Sequence, residues 1–341
     1  MKAARVIEGK LEIQDLPNPE PLREQALIKI SATGVCHSDL HLMRGDWMGV
    51  QSDVIGHEAI GEVEALGPGA EQFISIGDRV ILGLGGASGN YWCGACEYCL
   101  QGDPRHCNQN QVIMGTFAEK FCVWAKSLVK IPDNISDKEA PLACGGLTAY
   151  SSIKKLQKHN IKPGSTVALI GAAGGLGHYA VQLAKACGYK VVGIDIGEER
   201  LEFVKSLGAD LAVDPQSALE EVQRNHLGVD ASIVFSAKMT GFNLGMQLLK
   251  PKGLFVAVAL PATSEGNLQL NPFEFFYKDI TLIYSAPGNV QDMRELVEIA
   301  SDGKVQSHIG RVGALSELGN IFDELENGKY VGRAVITDLK N

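Results

Sequence analysis

The chain has 341 residues, 45% hydrophobic and 21% charged, with a formal net charge of −9 at pH 7. That length exceeds what one hydrophobic core ordinarily fills, so two domains are expected. The acidic balance, without any run of Lys and Arg, argues against nucleic acid or a membrane surface as partner. The opening "MKAARVIEGKLEIQD" lacks the apolar segment of a signal peptide. The most apolar long stretch, "TVALIGAAGGLGHYAVQLAKACG", is broken by glycines, His, Gln and Lys, whereas a membrane span wants about 20 nearly uninterrupted apolar residues. A cytoplasmic protein is the expectation, and in that compartment clustered cysteines read as metal ligands sooner than as disulfides.

Residues 1–148 read as short β segments: "LEIQDLP", "QALIKISATG", "AIGEVEALG", "DRVIL" and "KFCVWAKSLVKIP". Frequent Gly and Pro between them suit an irregular barrel or sandwich. From about 163 the pattern becomes alternating strand and helix, beginning with "GSTVALIGA", "GLGHYAVQLAKACG", "KVVGID" and "EERLEFVKSLGA" and ending at "LFVAVAL". Repeated βα units of this length predict an α/β fold with a doubly wound parallel Rossmann sheet over 149–284. Two helices, "DMRELVEIASDG" and "LSELGNIFDELENG", and a closing strand "GRAVIT" fill 285–341, which is expected to return to the first domain.

"GAAGGLG" lies between a predicted strand and a predicted helix and supplies Gly171, Gly174, Gly175, Leu176 and Gly177. Glycines there let the backbone approach a pyrophosphate, whose charge then sits at the helix N-terminus. Asp195 ends the next strand, 18 residues after Gly177, where a carboxylate accepts hydrogen bonds from an adenosine ribose. NAD is favoured over NADP, because like charges about 4 Å apart cost roughly 4 kcal/mol at an effective dielectric of about 20. No Arg directly follows Asp195; Arg200 comes later, on the next helix.

Half of the eight cysteines sit in "YWCGACEYCLQGDPRHC": Cys93, Cys96, Cys99 and Cys107. A disulfide framework, a redox pair and a metal site are all conceivable, but a CxxC redox motif leaves Cys99 and Cys107 unexplained. Cys122 and Cys187 read as buried packing residues.

Three further pieces, "GVCHSDLH", "GHEAIGEV" and "LACGGLTAY", join the dinucleotide pattern, and with them the whole chain resembles the zinc-dependent medium-chain alcohol dehydrogenases. The resemblance implies a GroES-like catalytic domain over 1–148 and 285–341. It implies a catalytic zinc on Cys36, His57 and Cys144 with one open position, and Glu58 beside the metal as an occasional ligand. It makes Asp39 the residue that orients a ligand, Ser38 the hydroxyl that takes the substrate proton, and His41 the relay toward solvent. Ser38 and His41, three apart, share one face of a helical turn. His37 and Arg333 are implied near the pyrophosphate and Thr148 near the nicotinamide. Cys93, Cys96, Cys99 and Cys107 are then a second, structural zinc site, closed to substrate.

The expected activity is hydride transfer between NAD and a primary or simple secondary alcohol, with two Zn²⁺ per chain. A polyol or sugar dehydrogenase of the same superfamily is the alternative, and a zinc- and NAD-binding protein without catalysis is a remoter one. A homodimer or homotetramer joined near "ITLIYSA" is implied. The chain departs from the family where "ILGLGGASGNYW" is long and "NQNQVIMGTFAEKF" short, so the pocket aromatic cannot be placed; Tyr91, Trp92 or Trp47 are candidates.

Overall fold

A computed structural model of the chain describes residues 1–45, 53–83, 91–112 and 114–341. It divides into two units, Met1–Leu147 with Pro287–Asn341, and Thr148–Ala286. Trp47 and most of the glycine-rich stretch before Tyr91 lie outside the described residues.

The first unit starts with a hairpin of β1 (Lys2–Ile7) and β2 (Lys10–Asp15), turned at Glu8 and Gly9. Both turn residues have positive φ, the geometry that matches the twist of the flanking strands. β3 (Gln25–Val35) follows and runs into helix α1 (His37–Arg44); then come β4 (Glu58–Leu66), β5 (Arg79–Gly83), a short helix α2 (Glu97–Leu100), β6 (Lys120–Trp124) and β7 (Val129–Lys130). The stretch "KFCVWAKSLVKIP", expected as one strand, is thus two, split by a 3₁₀ turn at Ala125–Ser127. The split lets β6 pair with β3 while β7 pairs with β5.

α3 (Gly145–Lys158) carries the division between the units. The second unit holds β8 (Thr166–Ile170), α4 (Gly177–Ala186), β9 (Lys190–Ile194), α5 (Glu198–Ser206), β10 (Leu211–Val213), α6 (Ala218–His226) and β11 (Val229–Val234). It continues with α7 (Met239–Gln247), β12 (Leu249–Ala257), α8 (Pro272–Lys278) and β13 (Thr281–Tyr284). All six strands are parallel, in the order β10-β9-β8-β11-β12-β13. β8 is buried along its whole length, as strands covered on both faces must be. The order reverses between β8 and β11, and ligands of such sheets bind beyond the strand ends at that switch.

The chain then returns to the first unit as α9 (Val290–Ser301), β14 (Ile309–Ala314), α10 (Leu318–Glu326) and β15 (Arg333–Asp338). β15 and β6 share one edge of β3, β6 along 25–29 and β15 along 33–35, while β4 takes the other. This register decides the site. It sets Val35 opposite Ala334 and Thr33 opposite Ala59, so Cys36, Glu58 and Arg333 reach the same end of the sheet.

Candidate functional site

Four residues from three separated stretches converge at that sheet end. One ligand atom from each of Cys36, His57, Glu58 and Cys144 lies within 4.8 Å of all the others. Cys36 caps α1, His57 stands just before β4, and Cys144 follows a 3₁₀ segment at Asp137–Ala143. Cys36, His57 and Glu58 are buried and Cys144 is partly so. Gly34 is required for the convergence: a Cβ there would stand 2.1 Å from the Glu58 Oε2.

Asp39 organises the centre. One carboxylate oxygen accepts the backbone N–H of Cys36 at 3.0 Å, closing the first turn of α1, and the other meets His57 Nδ1 at 2.8 Å. Asp39 is fully buried. It turns His57 Nε2 toward the two thiols, and that nitrogen is buried with no hydrogen-bond partner. A buried polar atom without a partner is costly. A metal ion among two thiols, an imidazole and a carboxylate would satisfy it.

The charges around the cluster agree. The Cys144 thiol, hydrogen-bonded to Cys36, lowers the Cys36 pKa well below the ordinary thiol value; burial opposes this, and Arg333 and His57 reinforce it. Cys144 is raised correspondingly, first by that same bond and then by burial. Burial pulls His57 down, but the charge and hydrogen bond of Asp39, with Cys36, hold it well above its usual value. Burial pushes Glu58 up to about 7, with Arg333 opposing. Arg333 donates from Nη2 to both Glu58 oxygens, across 275 positions of sequence. Its first partner in the structure is therefore this carboxylate.

Ser38 Oγ lies 3.6 Å from Cys36 Sγ, at the rim of the cluster, and His41 is one helical turn further along α1. His37, the first residue of α1, is exposed. Thr148 is buried in α3, one turn after Cys144.

The second cluster is local. Cys93, Cys96, Cys99 and Cys107 also bring their sulfurs within 4.8 Å of one another. The Cys96–Cys99 and Cys93–Cys107 sulfurs are 3.5 and 3.6 Å apart, far from any disulfide, and all eight cysteines are free. Four sulfurs around a tetrahedral zinc at about 2.3 Å would be about 3.8 Å apart, so the cage is the right size. Backbone N–H groups support it: Ala95 and Cys96 donate to Cys93 Sγ, and Cys93 and Gln109 donate to Cys107 Sγ. Backbone donors from Cys99 and Asn108 lower the Cys96 thiol to about 6.

In the second unit, Gly171–Gly177 links β8 to α4 as the sequence suggests. A Cβ on Gly177 would lie 2.0 Å from the Gly171 carbonyl oxygen, so only glycine permits this tight entry to the helix. Gly174, Gly175 and Leu176 complete the turn, whose first helical N–H groups have no partner within the helix. Asp195 is buried just beyond β9; its Oδ2 accepts Ala173 N–H at 2.8 Å and its Oδ1 accepts Ile196 N–H at 2.9 Å. A carboxylate has about four acceptor sites, which leaves capacity for ribose hydroxyls.

Three details escaped the sequence. Arg200, five positions from Asp195, reaches within 3.5 Å of its Oδ1, because the chain turns from the end of β9 into helix α5 between them. His178, directly after Gly177, meets the Gly174 carbonyl at 3.0 Å and so braces the glycine turn; its place in the motif was the available signal. Tyr91 packs on Trp124, with ring centroids 4.8 Å apart, and Lys126 covers both Tyr91 and Trp92. Cys122 and Cys187, expected to be buried, are only partly so.

Comparison with known proteins agrees with both halves. Residues 23–133 match the family model of the alcohol dehydrogenase GroES-like domain, and residues 175–302 match that of the zinc-binding dehydrogenases. An alcohol dehydrogenase of Geobacillus stearothermophilus is 36% identical over 351 aligned positions, covering 98% of this chain and 99% of that one. The crystal structure of an alcohol dehydrogenase from the archaeon Aeropyrum pernix superposes with a TM-score of 0.89 at 32% identity, covering 99% of this chain and 100% of that one. A cobalt- and zinc-bound thermostable alcohol dehydrogenase from Pyrobaculum aerophilum gives 0.88 at 26% identity, over 99% of each. With the buried Cys–His–Cys centre in one unit and the glycine turn in the other, the chain belongs to the zinc-dependent medium-chain alcohol dehydrogenases.

Proposed function

We propose that this alcohol dehydrogenase uses NAD, carries two zinc ions per chain, and acts on primary or simple secondary alcohols. The observation that carries the reading is His57 Nε2, buried without a hydrogen bond and aimed by Asp39 between two thiols. When bound, zinc lowers the pKa of an alcohol and NAD accepts the hydride. Cys36, His57 and Cys144 hold the metal, and Asp39 fixes the His57 ring so that Nε2 stays available. Ser38 takes the substrate proton and His41 passes it toward solvent. Glu58 stands beside the ligands, its charge balanced by Arg333. Arg333 and His37 would serve the pyrophosphate, and Thr148 the nicotinamide, when NAD is bound.

Gly171, Gly174, Gly175, Leu176 and Gly177 admit the pyrophosphate to the N-terminus of α4, and Asp195 takes the ribose hydroxyls. Arg200 beside Asp195 offsets part of its charge, so NADP is disfavoured by less than the sequence argument implied. Cys93, Cys96, Cys99 and Cys107 hold the second zinc in a closed site. The homo-oligomer would form through β13, which closes one edge of its sheet, beside the exposed aromatic side chains of Phe273, Phe276 and Tyr277 on α8. A cytoplasmic location is part of the proposal. Among the described residues, no helix is long and apolar enough to cross a membrane.

The test is NADH formation across primary, secondary, aromatic and polyol substrates, with NADP in parallel. Turnover of simple alcohols with NAD is expected. Turnover of polyols alone would move the reading to a polyol dehydrogenase, and equal use of NADP would remove the role of Asp195.

A further inference from the structure

Lys126 belongs to the 3₁₀ turn after β6, outside the stretch that carries the four cysteines, yet its ammonium is directed at that stretch. It lies 4.1 Å from the ring centroid of Tyr91 and 4.9 Å from that of Trp92, and it donates to the backbone carbonyl of Trp92, the residue before Cys93. The charged and titratable groups facing it are Glu24 and the thiols of Cys99, Cys107 and Cys93. Half-burying an ammonium is costly unless anions or aromatic faces receive it. Four thiolates on one Zn²⁺ leave a net charge of about −2, which is what such a cation would offset.

We propose that Lys126 is a positioning residue for the four-cysteine metal site, bracing the chain at Trp92 and balancing the charge of the thiolates. The inference rests on the reading of those cysteines as a closed zinc site. It predicts that the charge of Lys126, more than its length, governs how tightly that zinc is kept. A lysine serving only Glu24 would have no such effect.

The experiment uses the full-length, zinc-loaded protein and follows zinc transfer to excess chromophoric chelator, with zinc per chain measured beforehand. Cys99→Ser identifies the release phase that belongs to the closed site. Lys126→Met is expected to speed that phase by about 10- to 100-fold, the usual cost of losing a group that supports metal ligands. Lys126→Arg, which keeps the charge, is expected to stay close to the wild type, and Glu24→Gln is expected not to speed release. In the wild type the phase should also quicken as salt rises, which needs no variant to fold. Two zinc ions in the wild type with Lys126→Met releasing at the wild-type rate would overturn the proposal alone. Release equally fast in Lys126→Arg and Lys126→Met, or a wild-type rate indifferent to salt, would also overturn it. A wild type holding one zinc would remove the closed-site reading and this proposal with it.

Discussion

The two cysteine clusters hold the same kind of atom and are built in opposite ways. Cys93, Cys96, Cys99 and Cys107 come from one short stretch, partly exposed, and their sulfurs are steadied by neighbouring backbone N–H groups. Cys36, His57 and Cys144 come from three separate elements, lie in a buried place, and depend on a side chain, Asp39, to aim the imidazole. The local cluster lies within one loop; the other needs β3 and β4 in register and the 3₁₀ segment at Asp137–Ala143 beside them. The difference matches the chemistry. A closed site of four thiolates needs compactness and a balancing charge, whereas a reactive site needs mixed ligands, dry surroundings and a position left open.

The largest effect should come from breaking the assembled site. His57→Ala is expected to abolish alcohol oxidation and to lower zinc by one ion per chain, leaving the four-cysteine zinc in place; elemental analysis with an activity assay reads both. Next in size is the proposed proton path, which would touch the buried cluster only. Ser38→Ala should slow the chemical step by roughly 10²- to 10⁴-fold without loss of zinc. His41→Gln should cost less and be partly restored by small-molecule bases. Wild-type rates for His41→Gln from pH 6 to 9, measured where chemistry limits turnover, would exclude it from the relay.

Asp39→Asn sharpens the comparison, because Asp39 bonds to Cys36 and His57 of the buried cluster and is not a neighbour in sequence of the local one. Zinc affinity at the buried site should fall by about 10- to 100-fold, with the other zinc unaffected, as competition with a chelator would show. Cys99→Ser does the reverse: thermal stability should fall while the Cys36, His57 and Cys144 site keeps its metal.

The smallest effect lies outside both clusters, where α9 leads back into the sheet. Glu139 accepts hydrogen bonds from Ser307 N–H at 3.0 Å and from the Ser307 hydroxyl, and burial raises its pKa above the ordinary carboxylate value. A carboxyl raised in the folded state favours folding most when protonated. Its contribution is present below the unfolded pKa and is lost as pH rises through the folded one. Glu139→Gln should therefore stabilise the protein by up to about 1 kcal/mol at neutral pH and lose that advantage in acid. Thermal unfolding at the two pH values checks the sign.

Much of this was legible in the sequence, because the informative residues sit at fixed local spacings. The glycine turn and Asp195 needed only a neighbouring strand and helix to be singled out, whereas the four cysteines stood out by spacing and were read as a zinc site through resemblance. Cys36, His57 and Cys144 were legible only through resemblance, since spacing alone does not bring them together. What stayed hidden depends on contacts between distant elements. The Arg333–Glu58 pair follows from the β15–β3–β4 register, and no local pattern announces it. Lys126 covering Tyr91 and Trp92 is of the same kind. The split of β6 from β7 was missed because both halves are equally rich in strand-forming residues.

The central claim, that two zinc sites of different design coexist in one chain, is tested most directly by X-ray absorption at the zinc edge on the His57→Ala protein. That variant should retain one zinc with four sulfur neighbours at about 2.3 Å and no nitrogen or oxygen in its coordination. A zinc with a nitrogen or oxygen neighbour, or a protein with no zinc at all, would contradict the account.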